Sequence, residues 1–138
     1  MYPQDLVIPM KEELTDHGFA EMLNAEQVEN TLTAKGTTLV MINSVCGCSA
    51  GTARPGVLMA VHNADNKPTQ LATSFAGFDV DAVNQIRKHL MPYPPSSPAI
   101  ALFKDGALVH MIERHMIEGR SAQMIAENLI GAFDTHCN

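Results

Sequence analysis

The segment TTLVMINSV, residues 37–45, is rich in β-branched side chains and has a continuously apolar middle. A strand with one face in water alternates apolar and polar residues, whereas a strand covered on both faces has no need to. The segment is therefore expected at the centre of a sheet with layers packed on both sides, which restricts the chain to an α/β architecture. Cys46-Gly47-Cys48 follows at once, and a helical pattern with Val57, Leu58 and Val61 on one face comes next. Pro55 either starts that helix or kinks it, if the helix already begins near Cys48.

Other segments repeat the alternation of strand and helix. Asn24 fits an N-cap with Gln27 completing a capping box, and the helix should end near Lys35-Gly36. QLATSFAG alternates Leu71, Thr73 and Phe75 as a second strand, and Val83, Ile86 and Leu90 stand at helical intervals behind Asp79 and Asp81. MPYPPSSP (91–98) is a proline-dense loop. AIALF and ALVHM flank Lys104-Asp105-Gly106, a hairpin signal. A final helix follows Ser121, with Ile125, Leu129 and Phe133 on one face. Residues 1–17 are expected as an N-terminal extension, irregular apart from some helix around Lys11–Glu13. The resulting order, α–β–CGC–α–β–α–β–β–α, is a mixed central sheet with helices on both faces.

With 138 residues the chain is expected to form one domain with a sizeable core. It is 46% hydrophobic and 17% charged, so folding needs neither disulfide staples nor a structural metal. The net charge of −6 argues against nucleic acid or an anionic membrane as partner, since both require a basic patch. No apolar run approaches the ~20 residues that span a bilayer, and residues 1–14 lack the charged-then-apolar pattern of a secretory signal. A cytoplasmic location is expected, where cysteines are more often catalytic, metal-binding or buried than structural disulfides.

Placement makes the CxC pair chemically informative. At the start of a helix, unsatisfied N–H groups and the positive end of the dipole stabilise a thiolate and lower a thiol pKa from about 8.5. A thiolate attacks a disulfide sulfur, and a second thiol one residue away can resolve the mixed disulfide. A CxC disulfide closes a small ring, which Gly47 would tolerate best, and strain in it would favour accepting electrons or isomerising. Two alternatives stay open: a carrier of Cu(I) or Zn held by the CxC, and an interaction module in which the thiols are incidental core residues. No second CxC or CxxC exists to complete a closed zinc site, so no metal ligands are assigned. Arg54 is a candidate partner for a thiolate or a substrate carboxylate, or a cover for the helix surface. His115 and Glu118 are candidates to position a substrate or tune a thiol, with solvation or helix capping the plainer alternative. Cys137, second from the last residue, is expected exposed on a frayed end.

SSPAIALFKDGALV (96–109) is similar to the end of a thioredoxin domain, where a cis-proline precedes a strand and a hairpin. NSVCGCSAGTARPG (43–56) together with RHMIEGR (114–120) resembles the bacilliredoxin family, small thioredoxin-like proteins with CGC in place of CxxC. The resemblance covers nearly the whole chain. It implies a thioredoxin-like fold whose cis-proline loop, Ser97-Pro98 here, faces the cysteines and pairs with the substrate backbone. It also implies removal of bacillithiol from mixed disulfides on oxidised client proteins, or thiol–disulfide exchange and isomerisation more broadly. Cys46 matches the attacking thiol and Cys48 the resolving one. No cofactor is implied, because the sulfurs carry the electrons and bacillithiol is a substrate. The expected partners are oxidised clients and a low-molecular-weight thiol, and the protein itself is expected as a monomer or homodimer.

Overall fold

All seven residues of Thr37–Asn43 are buried, and they form the central strand of a five-stranded sheet. The computed structural model describes every residue from Met1 to Asn138. In chain order the elements are α1 (Gln4–Thr15), β1 (Ala20–Glu21), α2 (Ala25–Leu32), β2 (Thr37–Asn43), a π-helical turn (Ser49–Ala53), α3 (Arg54–Asn63), β3 (Gln70–Phe75), α4 (Val80–His89), β4 (Ala99–Lys104), β5 (Ala107–Ile112), α5 (Arg114–Ile117) and α6 (Ala122–His136). The strands lie in the order β1-β3-β2-β4-β5. β3 runs parallel to both β1 and β2, while β2–β4 and β4–β5 are antiparallel, so the sheet is mixed as expected.

Side-chain alternation along β2 sends neighbours into different cores. Leu39 and Met41 join Val57, Ala60, Ile125, Leu129 and Phe133 of α3 and α6 on one face. Val40 and Ile42 join Val28 and Leu32 of α2 and Val83 and Ile86 of α4 on the other. The unbroken apolar run follows from this placement, since each face of β2 has a helical layer to fill. α3 approaches α6 closely at Gly56, where a Cβ would stand 2.8 Å from Ile125 Cβ and 2.9 Å from the Ala122 carbonyl oxygen. The β4–β5 turn puts Asp105 and Gly106 at φ 51° and 87°, the left-handed pair that a two-residue hairpin requires. Asp105 also accepts a hydrogen bond from the Gly36 N–H at 2.8 Å, fixing the turn to the start of β2.

The N-terminal segment departs from expectation. α1 is a full twelve-residue helix with Pro9 inside it. Proline removes one helical hydrogen bond there, but Val7 and Leu14 are fully buried on the face turned to the core. Lys11 Nζ lies 2.9 Å from Asp79 Oδ2 and 3.0 Å from Glu21 Oε1, tying the helix to β1 and to the entry of α4. β1, only two residues long and exposed, gave no pattern to read. α2 is capped by Asn24, whose Oδ1 accepts from the Gln27 N–H at 2.9 Å, but Gln27 Oε1 reaches back to the Leu23 N–H rather than to that of Asn24. α2 ends at Leu32, short of Lys35-Gly36. No helix is long and apolar enough to cross a membrane.

Candidate active site

β2 stops at Asn43 because its side chain takes over the pairing of the chain beyond it. Asn43 Oδ1 accepts from the Ser44 N–H at 2.8 Å, the Ser49 hydroxyl at 3.0 Å and Arg54 Nη1 at 2.9 Å, and Nδ2 donates to the Met10 carbonyl of α1 at 3.1 Å. Ser44 Oγ then accepts the Cys46 N–H at 2.9 Å. The Cys46 carbonyl accepts from the N–H groups of Ser49 at 2.9 Å and Ala50 at 3.3 Å, so Cys46 caps the helix and Cys48 lies in its first turn. The helix passes through the π turn before α3, and Pro55 accounts for it. Its ring would clash with the carbonyl four residues back, and the wider turn opens room, with Arg54 N–H donating to Ser49 O.

Cys46 and Cys48 are free thiols, both half-buried, with sulfurs 2.8 Å apart. Their pKa values move in opposite directions. Cys46 is lowered, first by the hydrogen bond from the Cys48 thiol, then by the Cys48 N–H, with the Arg114 cation and the Ser49 N–H adding to it against burial. Cys48 is raised, first by burial, then because its proton is held on Cys46 and because ionisation would set two negative charges side by side. The helix start stabilises one thiolate rather than both.

Arg114, at the start of α5, was not among the candidates read from the sequence. Its Nη2 donates to Cys46 Sγ at 3.2 Å, Nη1 to the Ser97 carbonyl at 3.2 Å, and Nε to Glu118 Oε1 at 2.7 Å. One guanidinium thus joins the thiol to the loop of Ser97 and the buried Pro98, whose peptide bond is cis as the resemblance implies. The Met91–Pro92 bond is cis as well. The stretch RHMIEGR had pointed to His115, but that side chain is 73% exposed, and its Nε2 meets only Glu113, at 3.9 Å. The readable signal was Arg114 and Glu118 four apart, which sets them on one face of a helical turn, while the next residue points away.

Arg54 lies beneath the thiols, not beside them. It is 1% exposed, and Nη1 also donates to the Ser44 carbonyl at 2.9 Å and Ser49 Oγ at 3.1 Å. Nε stands 3.1 Å from Glu13 Oε1, an ion-pair distance, but its N–H is not aimed at that oxygen and finds no acceptor. Gly47 has no positive φ and open space where a Cβ would be, so the dithiol form makes no demand for glycine. Cys137 is half-buried against the α3–α6 core, its N–H bonded to Phe133 O at 2.7 Å, instead of exposed on a frayed end. No three His, Cys, Asp or Glu side chains gather in a group that could hold a metal ion.

A paired thiol at the junction of a central strand and a helix, facing a cis-proline loop, is the arrangement of thioredoxin-fold thiol–disulfide oxidoreductases. The thioredoxin of Malassezia sympodialis superposes with a TM-score of 0.60 over 88% of this chain and 92% of its own, at 15% identity, which establishes the fold. A family model described as disulphide isomerase matches residues 2–137. The bacilliredoxin of Cytophaga hutchinsonii is 56% identical over 97% of this chain and 98% of its own, and that of Bacillus licheniformis 45% identical over 99% and 95%. The chain belongs to the bacilliredoxin family, and it is a thiol–disulfide oxidoreductase.

Proposed function

We propose that the protein removes bacillithiol from mixed disulfides on oxidised client proteins in the cytoplasm, with Cys46 as the attacking thiol and Cys48 as the resolving one. The observation that carries this reading is the asymmetry of two thiols 2.8 Å apart, one favoured as thiolate and one kept protonated. Cys46 thiolate attacks the sulfur of the cap, the cap–client bond breaks, and the client leaves as a thiolate. Cys48 then gives up its proton and attacks the Cys46 sulfur, releasing the cap as a thiol and leaving the CGC disulfide. The two sulfurs need to close by only ~0.8 Å to reach bonding distance. A low-molecular-weight thiol or a reductase returns the pair to the dithiol. The names of the bacilliredoxin relatives support bacillithiol as the cap.

Intact mass after mixing the reduced protein with a bacillithiol-capped model protein tests this. Cys48→Ala should gain one bacillithiol while the client loses it, and Cys46→Ala should do nothing. If neither the wild type nor Cys48→Ala decaps the client, the bacillithiol reading is wrong. If Cys46→Ala is the variant that traps the cap, the two roles are reversed.

A further inference from the structure

The guanidinium of Arg114 carries five N–H groups. Glu118, Ser97 and Cys46 take three of them, which leaves one on Nη1 and one on Nη2. The side chain is 44% exposed, so this cation is open to a ligand at the reacting sulfur. Each of these two free donors can take a carboxylate oxygen. We propose that Arg114 is a specificity-determining residue: it receives the carboxylate of a low-molecular-weight thiol cap and so places the cap's sulfur, not the client's, against Cys46.

This inference rests on the decapping reading and deepens it, because a mixed disulfide offers two sulfurs to attack. Attack on the cap's sulfur frees the client, whereas attack on the client's sulfur frees the cap and leaves the client bound. A carboxylate on the cap, held by Arg114, favours the first outcome. The electron count of the step closes on itself. The cap–client S–S bond breaks as the Cys46–cap S–S bond forms, and the negative charge passes from Cys46 to the departing client sulfur, which takes a proton from solvent.

That movement of charge makes the contact selective for the transition state. In the resting protein Arg114 is already shared between the Cys46 sulfur and Glu118. As Cys46 becomes a neutral disulfide sulfur its claim on Nη2 disappears, and the attraction between Arg114 and the cap's carboxylate grows. Interactions that strengthen along the reaction raise its rate. Because the site is partly solvated, the expected preference is modest, about fivefold.

The test uses one model peptide whose single cysteine is capped with 3-mercaptopropionate or with its neutral amide. Both are mixed at low salt with Cys48→Ala, with Cys48→Ala/Arg114→Gln and with Cys48→Ala/Arg114→Lys, and the adduct on Cys46 is weighed over time. Each rate is divided by that of the same peptide with free dithiothreitol, and the ratio of the two caps cancels any loss of general thiol reactivity. With Arg114 present the carboxylate cap should transfer about fivefold faster than the amide. The ratio should fall to about one in Arg114→Gln, be partly kept in Arg114→Lys, and shrink with added salt. Equal transfer of both caps by the Arg114 protein, or an unchanged ratio in Arg114→Gln, overturns this assignment and leaves decapping intact. If neither cap leaves the peptide while a bacillithiol-capped peptide is decapped, this assignment alone is overturned; if none of the three caps leaves, the decapping reading fails and this one with it.

Discussion

Arg54 offers a direct way to ask what holds the CGC loop in place, because its two ends make contacts of different kinds. Nη1 donates to Asn43 Oδ1, Ser44 O and Ser49 Oγ, all in buried residues. Nε faces Glu13, whose side chain is 47% exposed. Arg54→Met removes the donor and keeps much of the apolar stem. Asn43 Oδ1 retains its bonds from the Ser44 N–H and the Ser49 hydroxyl, but the Ser44 carbonyl loses its donor and stays buried. Hydrogen bonds from a charged group contribute about 1.5–3 kcal/mol, and part of this is offset because a buried cation no longer has to be desolvated. A net loss of about 2 kcal/mol is expected, which lowers Tm of a domain this size by about 6–10 °C. Glu13→Gln breaks only a half-exposed, poorly directed ion pair and should cost under about 1 kcal/mol. Thermal unfolding of the two reduced variants decides the matter. If Glu13→Gln costs as much as Arg54→Met, charge pairing holds the arginine, and the hydrogen-bond argument is refuted.

Cys46 should be alkylated first by iodoacetamide near neutral pH, and its rate should level off at lower pH than that of Cys48, as read by peptide mass; equal profiles would contradict the asymmetry. Reduced protein gains from Cys46 as pH rises through its lowered pKa and keeps that gain above the ordinary thiol range, whereas Cys48, held protonated, costs stability as pH climbs through that range, so Cys46→Ala and Cys48→Ala should have opposite pH slopes in urea unfolding. Gly56→Ala forces a methyl to within 2.8 Å of Ile125 Cβ and should cost about 1–3 kcal/mol by prising α3 from α6, with a lowered urea midpoint as the readout. Gly47→Ala should leave the reduced protein as stable as wild type or up to ~1 kcal/mol more so, since the position is helical and open, and a reduced form less stable than wild type would show that glycine is needed before any disulfide forms.

The parts of the molecule that could be read from its sequence are those whose physics is local or periodic. β2 declared its two covered faces by lacking alternation, the Asp105-Gly106 turn by its residue types, and Asn24 its cap by side-chain chemistry. The position of the CGC between strand and helix was legible for the same reason. What escaped depends on residues far apart in the chain. α1 survives an internal proline because Lys11 finds Asp79, 68 residues away, and because Val7 and Leu14 are wholly buried. Arg54 has the composition of a surface residue and becomes a buried strut only because Asn43, Ser44 and Ser49 converge on it. The opposite pKa shifts of the two thiols were the least accessible. Cys46 and Cys48 share one helix start, and a dipole argument treats them nearly alike. The difference arises because burial raises Cys48 and its thiol donates to Cys46, 2.8 Å away, while Arg114, 68 residues downstream, also donates to Cys46. A cation donating to one sulfur, with the neighbouring thiol donating to it as well, helps to move the pKa values of two similar cysteines apart. That arrangement is complete before any substrate arrives, so the preference for Cys46 belongs to the resting fold.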